Sequence, residues 1–320
     1  MKIVMLDRDS LGMDIDVSCF SKLGEFEEHP VAERSRCKEW VRDADIIIFN
    51  KTVMNEELLE EAGNVKCLCV TATGYDNIDV EYARKRGIAV TNIRNYSTPA
   101  VAQHTFALAL YVIEKIRYYD DYVKSGAYSE QLGFSNFSEP FIELEGKVWG
   151  IVGMGNIGRK VAQIAQAFGC KVIFYSASGS NSSSEYERVD FDTLLASSDV
   201  ISVHCPLSDR TRNLFNREAF KKMKSSAVLI NVARGPVVND ADLYDALIAE
   251  EIAGAGLDVL GKEPMEKTNP LGSFKDSRRL LITPHMAWAS VEARTRCIEE
   301  VYRNIEAFMA GEIRNRIDKE

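Results

Sequence analysis

Short apolar runs and amphipathic stretches alternate along the first third of the chain. Four apolar runs have the length and composition of buried strands, at Ile3–Leu6, Ile46–Phe49, Val65–Thr71 and Ile88–Thr91. The stretches between them repeat apolar residues at helical spacing, at Glu33–Arg42, Asn55–Ala62 and Val80–Arg86. Strands that alternate with helices form a mostly parallel sheet, because a parallel connection needs a crossover. This part of the chain is predicted to be one small α/β domain.

The same alternation resumes after a longer helical pattern. The residues from Val101 to Tyr119 predict a long helix that carries the chain between two domains. Six further runs predict a second parallel sheet, at Lys147–Val152, Lys171–Tyr175, Val200–His204, Ala227–Val232, Ala253–Val259 and Leu280–Ile282. Ser290 can cap a last helix to about Met309, which we expect to return to the first domain. The expected fold class is α/β with two doubly wound parallel-sheet domains and a cleft between them, a flavodoxin-like domain of residues 1–97 and 290–320 and a Rossmann domain of residues 98–289.

The first strand of the second domain leads into a glycine-rich turn. Residues Gly153 to Gly158 read Gly-Met-Gly-Asn-Ile-Gly, and Ile157–Phe168 continues at helical spacing. In such a unit the first glycine permits the tight turn, Gly155 lets the backbone approach a pyrophosphate, and the third lets helix and strand pack closely. Many ordinary turns match this motif, but the strand, helix and second strand around it favour a dinucleotide site.

The second strand of this unit ends without the expected acidic residue. That residue would bind the adenosine ribose 2'-hydroxyl of NAD and repel the phosphate of NADP. Ser176 stands there, and residues 177–184 supply hydroxyl groups but no Arg or Lys. Such a serine-rich run is equally typical of a flexible surface loop. NAD is the expected cofactor, and Ser176 leaves NADP open.

Three strands of the second domain are followed by residues suited to proton transfer on an anionic substrate. They are Arg234, then Glu263 beyond Asp258, and His285. Parallel strands share one carboxyl edge, where ligands bind. Arginine can hold a carboxylate through two parallel hydrogen bonds, histidine can donate a proton near neutral pH, and a carboxylate orients the imidazole. The set favours hydride transfer to a 2-keto acid. Taken alone, Arg234 is equally typical of a surface or ion-paired arginine and His285 of a hydrogen-bonded structural residue, and Glu263 is more typical of a solvated loop acid.

Two other stretches allow two interpretations each. The loop Ala72–Asn77 follows a strand of the first domain, and its Gly74 either brings backbone amides to a carboxylate or only forms a turn. The segment from Tyr118 to Phe141 is rich in Tyr and Phe, and it packs either on its own chain or against a second subunit. His104 on the long helix and His204 at a strand end are assigned no role.

The composition and net charge indicate a globular protein and argue against several classes of partner. The 320 residues are 46% hydrophobic and 27% charged, which describes a globular chain long enough for two cores. The net charge of -9 argues against nucleic acid as a partner. Neither a signal peptide nor a membrane span is expected, because no apolar run is long enough. Seven cysteines without a Cys-x-x-Cys pair indicate reduced thiols in the cytoplasm, and four histidines without ligand spacing predict no metal.

Together these motifs resemble the D-isomer-specific 2-hydroxyacid dehydrogenase family over nearly the whole chain. The shared pieces are Gly153–Gly158, His204–Leu207, Asn231–Gly235, Leu257–Val259, Glu263–Pro264 and Thr283–His285. The resemblance implies that Arg234 binds and polarises the substrate, that His285 is the acid and base, and that Glu263 orients it. It also implies that residues 1–97 and 290–320 bind substrate, that residues 98–289 bind NAD(P), and that a homodimer forms through the cofactor domain.

The remaining site residues follow from the same resemblance. Cofactor contacts are expected at Gly153, Gly155, Asn156, Ile157, Gly158, Ser176, Cys205, Pro206, Val232 and Asp258, the last with the nicotinamide amide. Substrate contacts are expected at Thr73, Gly74, Tyr75, Arg234, His285 and Trp288. Within the family, the loop at residues 72–79 and the stretches at 101–105 and 285–290 indicate reduction of hydroxypyruvate to D-glycerate, with glyoxylate, pyruvate and phenylpyruvate as alternatives. A nicotinamide-sensing corepressor on the same fold is the alternative from another class, and the intact Arg, Glu and His set favours the enzyme.

Overall fold

The protein consists of two compact units in a computed structural model that describes residues 1–30, 34–180 and 182–319. One unit comprises Met1–Ser97 with Ala289–Glu320, and the other comprises Thr98–Trp288. No helix in the three described ranges is both long and apolar enough to cross a membrane.

The first unit is built on a five-stranded parallel sheet. Its strands are β1 (Lys2–Met5), β2 (Glu25–Glu28), β3 (Ile46–Phe49), β4 (Cys67–Val70) and β5 (Ala89–Thr91). Their order is β2-β1-β3-β4-β5, the flavodoxin-like order. Strand β2 was not predicted, because its sequence Glu-Phe-Glu-Glu has one apolar residue. It lies at an edge of the sheet, where a strand is only partly covered and an apolar run is not needed.

Three short helices follow strands of this sheet, α1 (Arg34–Trp40), α2 (Glu56–Glu61) and α3 (Val80–Lys85). The predicted start of the first at Glu33 lies outside the described residues. Helix α2 begins where the Asn55 side chain accepts the amide of Leu58, and α3 where Asp79 accepts the amide of Tyr82. These bonds satisfy amides that have no partner within the helix, so the polar residue before each helix determines where it starts.

The second unit begins with a helix that ends earlier than predicted. Helices α4 (Thr98–Ile113) and α5 (Ile116–Lys124) replace the single helix expected to Tyr119, and the short helix α6 (Ala127–Glu130) follows them. Lys115 adopts a left-handed φ of 55°, which interrupts the helix, and its Nζ lies 3.5 Å from the carbonyl of Arg278. The prediction was wrong because apolar spacing does not reveal a left-handed residue.

A seven-stranded parallel sheet forms the core of the second unit. The strands are β6 (Val148–Val152), β7 (Lys171–Tyr175), β8 (Glu187–Arg188), β9 (Val200–Val203), β10 (Val228–Asn231), β11 (Gly254–Leu257) and β12 (Leu280–Ile282). Their order is β12-β11-β10-β9-β6-β7-β8, which is a Rossmann order with its reversal between β6 and β9. The predicted fold class is confirmed. The two-residue edge strand β8 was not predicted.

Helices cover both faces of this sheet. They are α4 and α7 (Asn156–Ala167) on one face, with α8 (Phe191–Ser197), α9 (Arg217–Lys222) and α10 (Asp240–Ile248) on the other. Trp149 of β6 is fully buried beneath α4, where its ring centroid lies 4.6 Å from that of Phe106. Its indole N–H donates to Ser202 Oγ at 2.9 Å, so the one polar atom of this core side chain is satisfied.

The last helix, α11 (Val291–Met309), belongs to the first unit. Ser290 caps it as predicted, because its side chain accepts the amide of Ala293 at 3.2 Å. Cys297 on its buried face donates to the carbonyl of Thr71, just after β4. The two ends of the chain therefore share one core.

Candidate active site

The glycine-rich turn between β6 and α7 is tightly packed at two of its three glycines. Gly153 has a φ of 97°, and a Cβ there would lie 2.7 Å from the amide nitrogen of Cys205. A Cβ on Gly158 would lie 2.2 Å from the carbonyl oxygen of Gly153. Both distances are too short for any side chain, so these glycines are required by the turn and by helix packing.

Gly155 differs from these two glycines, because a Cβ there would meet nothing within 4 Å. It stands directly before α7, at the end where the first helical amides have no partner within the helix. Open space in front of such amides is what a pyrophosphate needs. Nearby, both ring nitrogens of His204 are buried without a hydrogen-bond partner among the described residues. The turn therefore fits a dinucleotide, with Asn156 and Ile157 as the first residues of the helix.

Ser176 lies just after β7 and is 4% exposed. Its hydroxyl is 3.5 Å from that of Ser178. Arginines from two other elements reach the serine-rich run that follows. Arg159 of α7 donates to the carbonyl of Ser182 at 2.7 Å, and Arg188 of β8 donates to that of Gly179 at 3.0 Å. The sequence did not reveal these cations beside the run, whose Asn181 lies outside the described residues.

His285 and Glu263 form a close pair. The Nδ1 atom of His285 lies 2.6 Å from Glu263 Oε2, and the other carboxylate oxygen accepts the amide of Leu260 at 3.0 Å. With Nδ1 held by the carboxylate, Nε2 is the ring nitrogen left to exchange a proton with a ligand. The His285 side chain is 27% exposed, so a ligand can reach it. The geometry suits a general acid oriented by a carboxylate.

Asp258 binds the backbone amides of His285 and of the two residues after it. Its carboxylate accepts the amides of Met286 and Ala287, each at 2.8 Å, and its carbonyl accepts the amide of His285 at 2.8 Å. The hydroxyl of Thr283 donates to the same carboxylate at 2.6 Å. Asp258 is 1% exposed. Its expected contact with the nicotinamide amide stays a prediction, and these bonds give it a structural role that the sequence did not indicate.

The charge on Asp258 is maintained by its donors. Burial alone raises the pKa of this carboxyl, but the neighbouring donor His104, 3.5 Å away, and the hydrogen bonds from Thr283 and the amides of Ala287 and Met286 lower it below its usual range. The group is therefore ionised at neutral pH, and each of these bonds is charge-assisted.

Arg234 follows β10 in a turn held by Asn231. The Asn231 side chain accepts the amide of Ala233 and donates to the carbonyl of Arg234, both at 3.1 Å. A Cβ on Gly235 would lie 1.7 Å from the carbonyl oxygen of Leu260, so glycine is required where this turn meets the loop that leads to Glu263. Strands β10, β11 and β12 are parallel neighbours, so Arg234, Asp258 and His285 lie at one edge of the sheet.

The loop after β9 supplies the apolar candidates. Cys205 is buried, and burial raises the pKa of its thiol to about 11, so it remains a neutral thiol at physiological pH. The carbonyl of Pro206 accepts the hydroxyl of Thr211 at 2.8 Å. Val232, after β10, is also buried. The contact of Cys205, Pro206 and Val232 with the cofactor stays a prediction, and all three lie at the carboxyl edge of the sheet, where such a contact is possible.

Two further predicted residues have structural contacts of their own. The indole N–H of Trp288 donates to the carbonyl of His285 at 3.0 Å. In the first unit, the hydroxyl of Thr73 donates to the carbonyl of Ile93 at 2.8 Å, and Tyr75 is exposed. The roles of Thr73, Gly74, Tyr75 and Trp288 toward a substrate remain predictions.

His104 is the residue that sequence reasoning missed. Its Nε2 lies 3.0 Å from Thr283 Oγ1 and 3.5 Å from Asp258 Oδ1. The contact joins residues 179 positions apart, and a helical histidine carries no local signal of such a partner.

The chain is similar in sequence to known proteins. Residues 106–287 match the family model described as "D-isomer specific 2-hydroxyacid dehydrogenase, NAD binding domain". The chain is 38% identical over 326 residues to a hydroxypyruvate reductase of Blautia hydrogenotrophica, with 100% of both chains covered.

Two solved structures have the same fold. A D-lactate dehydrogenase of Aquifex aeolicus, in complex with NAD and lactic acid, is 28% identical with a TM-score of 0.86 over 99% of both chains. An acyclic imino acid reductase in complex with NADPH and D-Arg is 32% identical with a TM-score of 0.87, over 99% of this chain and 100% of that one. The predicted cofactor class, NAD or NADP, is confirmed by the family model and these neighbours.

Proposed function

The chain belongs to the D-isomer-specific 2-hydroxyacid dehydrogenase family, and from that premise we propose that it reduces hydroxypyruvate to D-glycerate. The activity class is that of the family, an NAD(P)-dependent oxidoreductase acting on the CH–OH group of D-2-hydroxy acids. The observation that supports the site is the His285–Glu263 pair at the carboxyl edge of the cofactor-binding sheet. The full-length relative named hydroxypyruvate reductase supports the substrate.

In the proposed reaction the protein supplies charge and a proton. NADH or NADPH supplies a hydride to the keto carbon when it is bound. His285 donates a proton from Nε2 to the carbonyl oxygen as that oxygen becomes an alkoxide, and Glu263 stabilises the protonated ring through Nδ1. Arg234 pairs with the substrate carboxylate and polarises the carbonyl. The product is the hydroxy acid, and solvent returns the proton to His285.

The loop Thr73–Tyr75 is proposed to recognise the substrate carboxylate. Because the Thr73 hydroxyl already donates to Ile93, recognition falls to the backbone amides of the loop. A small residue such as Gly74 lets those amides approach an anion closely. The substrate-binding role of the first unit rests on this loop.

The cofactor is proposed to bind with its pyrophosphate at the start of α7 and its adenosine ribose at Ser176. A serine there does not repel a 2'-phosphate, and Arg159 and Arg188 lie beside the same run. We expect NADPH to be accepted as well as NADH.

A homodimer through the cofactor domain is proposed from the segment between residues 116 and 142, here called the arm. Leu132, Phe134 and Phe137 are 107%, 91% and 86% exposed. The arm is nevertheless ordered, since Tyr119 donates to the carbonyl of Glu139 at 2.6 Å and Tyr122 to Gln131 at 2.7 Å. Large apolar side chains held in an ordered, exposed segment are typical of a surface that a second copy covers.

A cytoplasmic location is proposed from the cysteines. All seven are free thiols, including Cys67 and Cys69, whose sulfurs are 3.6 Å apart and share a hydrogen bond rather than a disulfide. Reduced thiols are usual in a reducing compartment. Cell fractionation with an antibody tests this proposal, and recovery in the membrane or secreted fraction contradicts it.

The test of function is a substrate series with each cofactor. Oxidation of NADH and of NADPH is followed with hydroxypyruvate, glyoxylate, pyruvate and phenylpyruvate. The highest kcat/KM is expected for hydroxypyruvate, with D-glycerate as the product. A higher kcat/KM for another acid keeps the activity class and overturns the substrate. Cofactor binding without turnover on any acid favours the alternative of a nicotinamide-sensing corepressor.

A further inference from the structure

We propose that His104 on α4 is a positioning residue for His285, acting through the side chains of Thr283 and Asp258. The inference rests on the proposed acid role of His285. It concerns three side chains from three elements, α4, the end of β11 and the end of β12, that converge beneath the backbone of the catalytic loop. His104 touches no reacting atom, and it acts on the geometry of the loop that carries His285.

The hydrogen bonds in this cluster have one consistent direction. The hydroxyl of Thr283 has a single proton, and the 2.6 Å contact with the Asp258 carboxylate uses it, because an ionised carboxylate can only accept. At 3.0 Å the Thr283 oxygen must then accept from His104 Nε2. The ring therefore carries a proton on Nε2. His104 donates to Thr283, and Thr283 donates to Asp258.

This series of hydrogen bonds ends at the backbone around His285. Asp258 accepts the amides of Met286 and Ala287 through its carboxylate and the amide of His285 through its carbonyl. His285 itself has a φ of 54°, a left-handed conformation that is unfavourable for a non-glycine residue. The surrounding bonds must offset that cost. The left-handed residue places the imidazole 2.6 Å from Glu263.

Removal of His104 acts on the loop through the donors of Asp258. The carboxylate is 1% exposed, so water cannot replace a lost donor without a change in packing. Without the Nε2 proton, the Thr283 hydroxyl loses the donor that polarises it, and Asp258 loses the neighbouring donor 3.5 Å away. Asp258 then restrains the two amides less strictly. A small displacement of His285 is enough to impair proton transfer.

Four variants and a control test the proposal. His104→Leu and Thr283→Val each remove one of the successive hydrogen bonds from His104 to Thr283 and from Thr283 to Asp258. His104→Gln replaces the ring with an amide N–H of similar reach, and His285→Asn removes the acid. Thr105→Val is the matched control for Thr283→Val, because the Thr105 hydroxyl is buried and, among the described residues, bonds only to the carbonyl of Val101 in its own helix.

The measurements separate positioning from loss of folded enzyme. For each variant we would measure kcat, KM for the keto acid, the primary isotope effect with deuterated NADH, the NADH dissociation constant by fluorescence and the thermal midpoint. His104→Leu and Thr283→Val should lower kcat by about tenfold to a hundredfold, with NADH affinity within about twofold of wild type. The isotope effect should rise, because proton and hydride transfer become more rate-limiting. A smaller fraction of folded enzyme lowers kcat without changing the isotope effect.

The outcomes distinguish this inference from the proposed function. His104→Gln should recover most of the kcat that His104→Leu loses, and Thr105→Val should match wild type. Wild-type kcat and isotope effect in His104→Leu and Thr283→Val, with an inactive His285→Asn, overturn the inference alone. An active His285→Asn overturns the proposed catalytic site as well. Where His104→Leu does not fold, the comparison of Thr283→Val with Thr105→Val decides.

Discussion

His285 shows how much of a catalytic side chain's behaviour is determined by its neighbours. His285 follows β12, whereas its partner Glu263 and the buried Asp258 both follow β11, so two neighbouring strand ends form its surroundings. The sequence indicated the residue types and the shared edge of the sheet. It did not indicate that Asp258 would bind backbone amides, because those bonds depend on the exact path of the loop after β12.

We expect substitutions of Arg234 and Glu263 to change different kinetic constants. Arg234→Lys loses the two parallel hydrogen bonds, so KM for the keto acid should rise and kcat/KM should fall about a hundredfold. Glu263→Gln keeps the shape but not the charge, so kcat should fall by about tenfold or more with little change in KM. Steady-state kinetics with hydroxypyruvate measure both, with Arg212→Lys, an exposed arginine, as the control. Wild-type constants in either variant would remove that residue from the site.

His204 makes the stability of the fold depend on pH. Burial lowers its pKa from 6.5 to about 3, so below pH 6.5 the unfolded chain binds a proton that the folded chain excludes. Stability is therefore present above pH 6.5 and lost as pH falls toward the folded-state value. Between about pH 8 and about pH 5 the loss is about 2 kcal/mol. Urea unfolding of wild type and His204→Asn at both pH values measures it, and equal losses in the two proteins would contradict the assignment.

Among the secondary-structure elements, the glycine turn combines two tightly packed glycines, Gly153 and Gly158, with an open one, Gly155. The sequence motif predicted the strand, turn and helix correctly, because its spacing is local. It also predicted a tight turn at Gly153 and close helix packing at Gly158, where a Cβ would lie 2.7 Å and 2.2 Å from backbone atoms, and the pyrophosphate role of Gly155 stays a prediction. Strands β2 and β8 were missed because edge strands need no apolar run, and the break at Lys115 was missed because a left-handed lysine has no sequence signature.

Two alanine substitutions in that turn should give opposite results. Gly158→Ala places a methyl group 2.2 Å from a backbone oxygen, so α7 must shift and the free energy of unfolding should fall by about 1–3 kcal/mol. In Gly155→Ala the new methyl group has no atom of the described residues within 4 Å, so stability should hold while the NADH dissociation constant rises. Denaturant unfolding and fluorescence titration measure the two effects. Tight NADH binding by a stable Gly155→Ala would contradict the placement of the pyrophosphate.

The molecule forms two units, and the second unit exposes large apolar side chains in the arm. The first unit takes its sheet from residues 1–97 and its last helix from the other end of the chain. The arm belongs to the second unit, and its exposed side chains are the feature that a single copy of the chain does not explain.

We expect the arm to control the oligomeric state. Leu132→Glu combined with Phe134→Glu should convert a dimer to a monomer, because two charges in a covered apolar surface are costly to desolvate. Ile313→Glu is the control, since Ile313 is 74% exposed but lies outside the arm. Light scattering after gel filtration gives the mass. A wild-type monomer, or a dimer that survives both arm substitutions, would contradict the proposal.

Features that depend on local spacing could be predicted from the sequence. Apolar periodicity predicted two parallel α/β sheets, the glycine motif predicted a dinucleotide turn, and strand-end positions brought Arg234, Glu263 and His285 together as candidates. Contacts between side chains that are distant along the chain are seen only in the folded protein. His104 reaches Thr283 across 179 positions, and Arg159 and Arg188 reach the serine run from two different elements. The physical reason is that hydrogen bonds and charge contacts act over a few ångströms in space, and separation along the chain does not encode them until the sheet and its helices have packed.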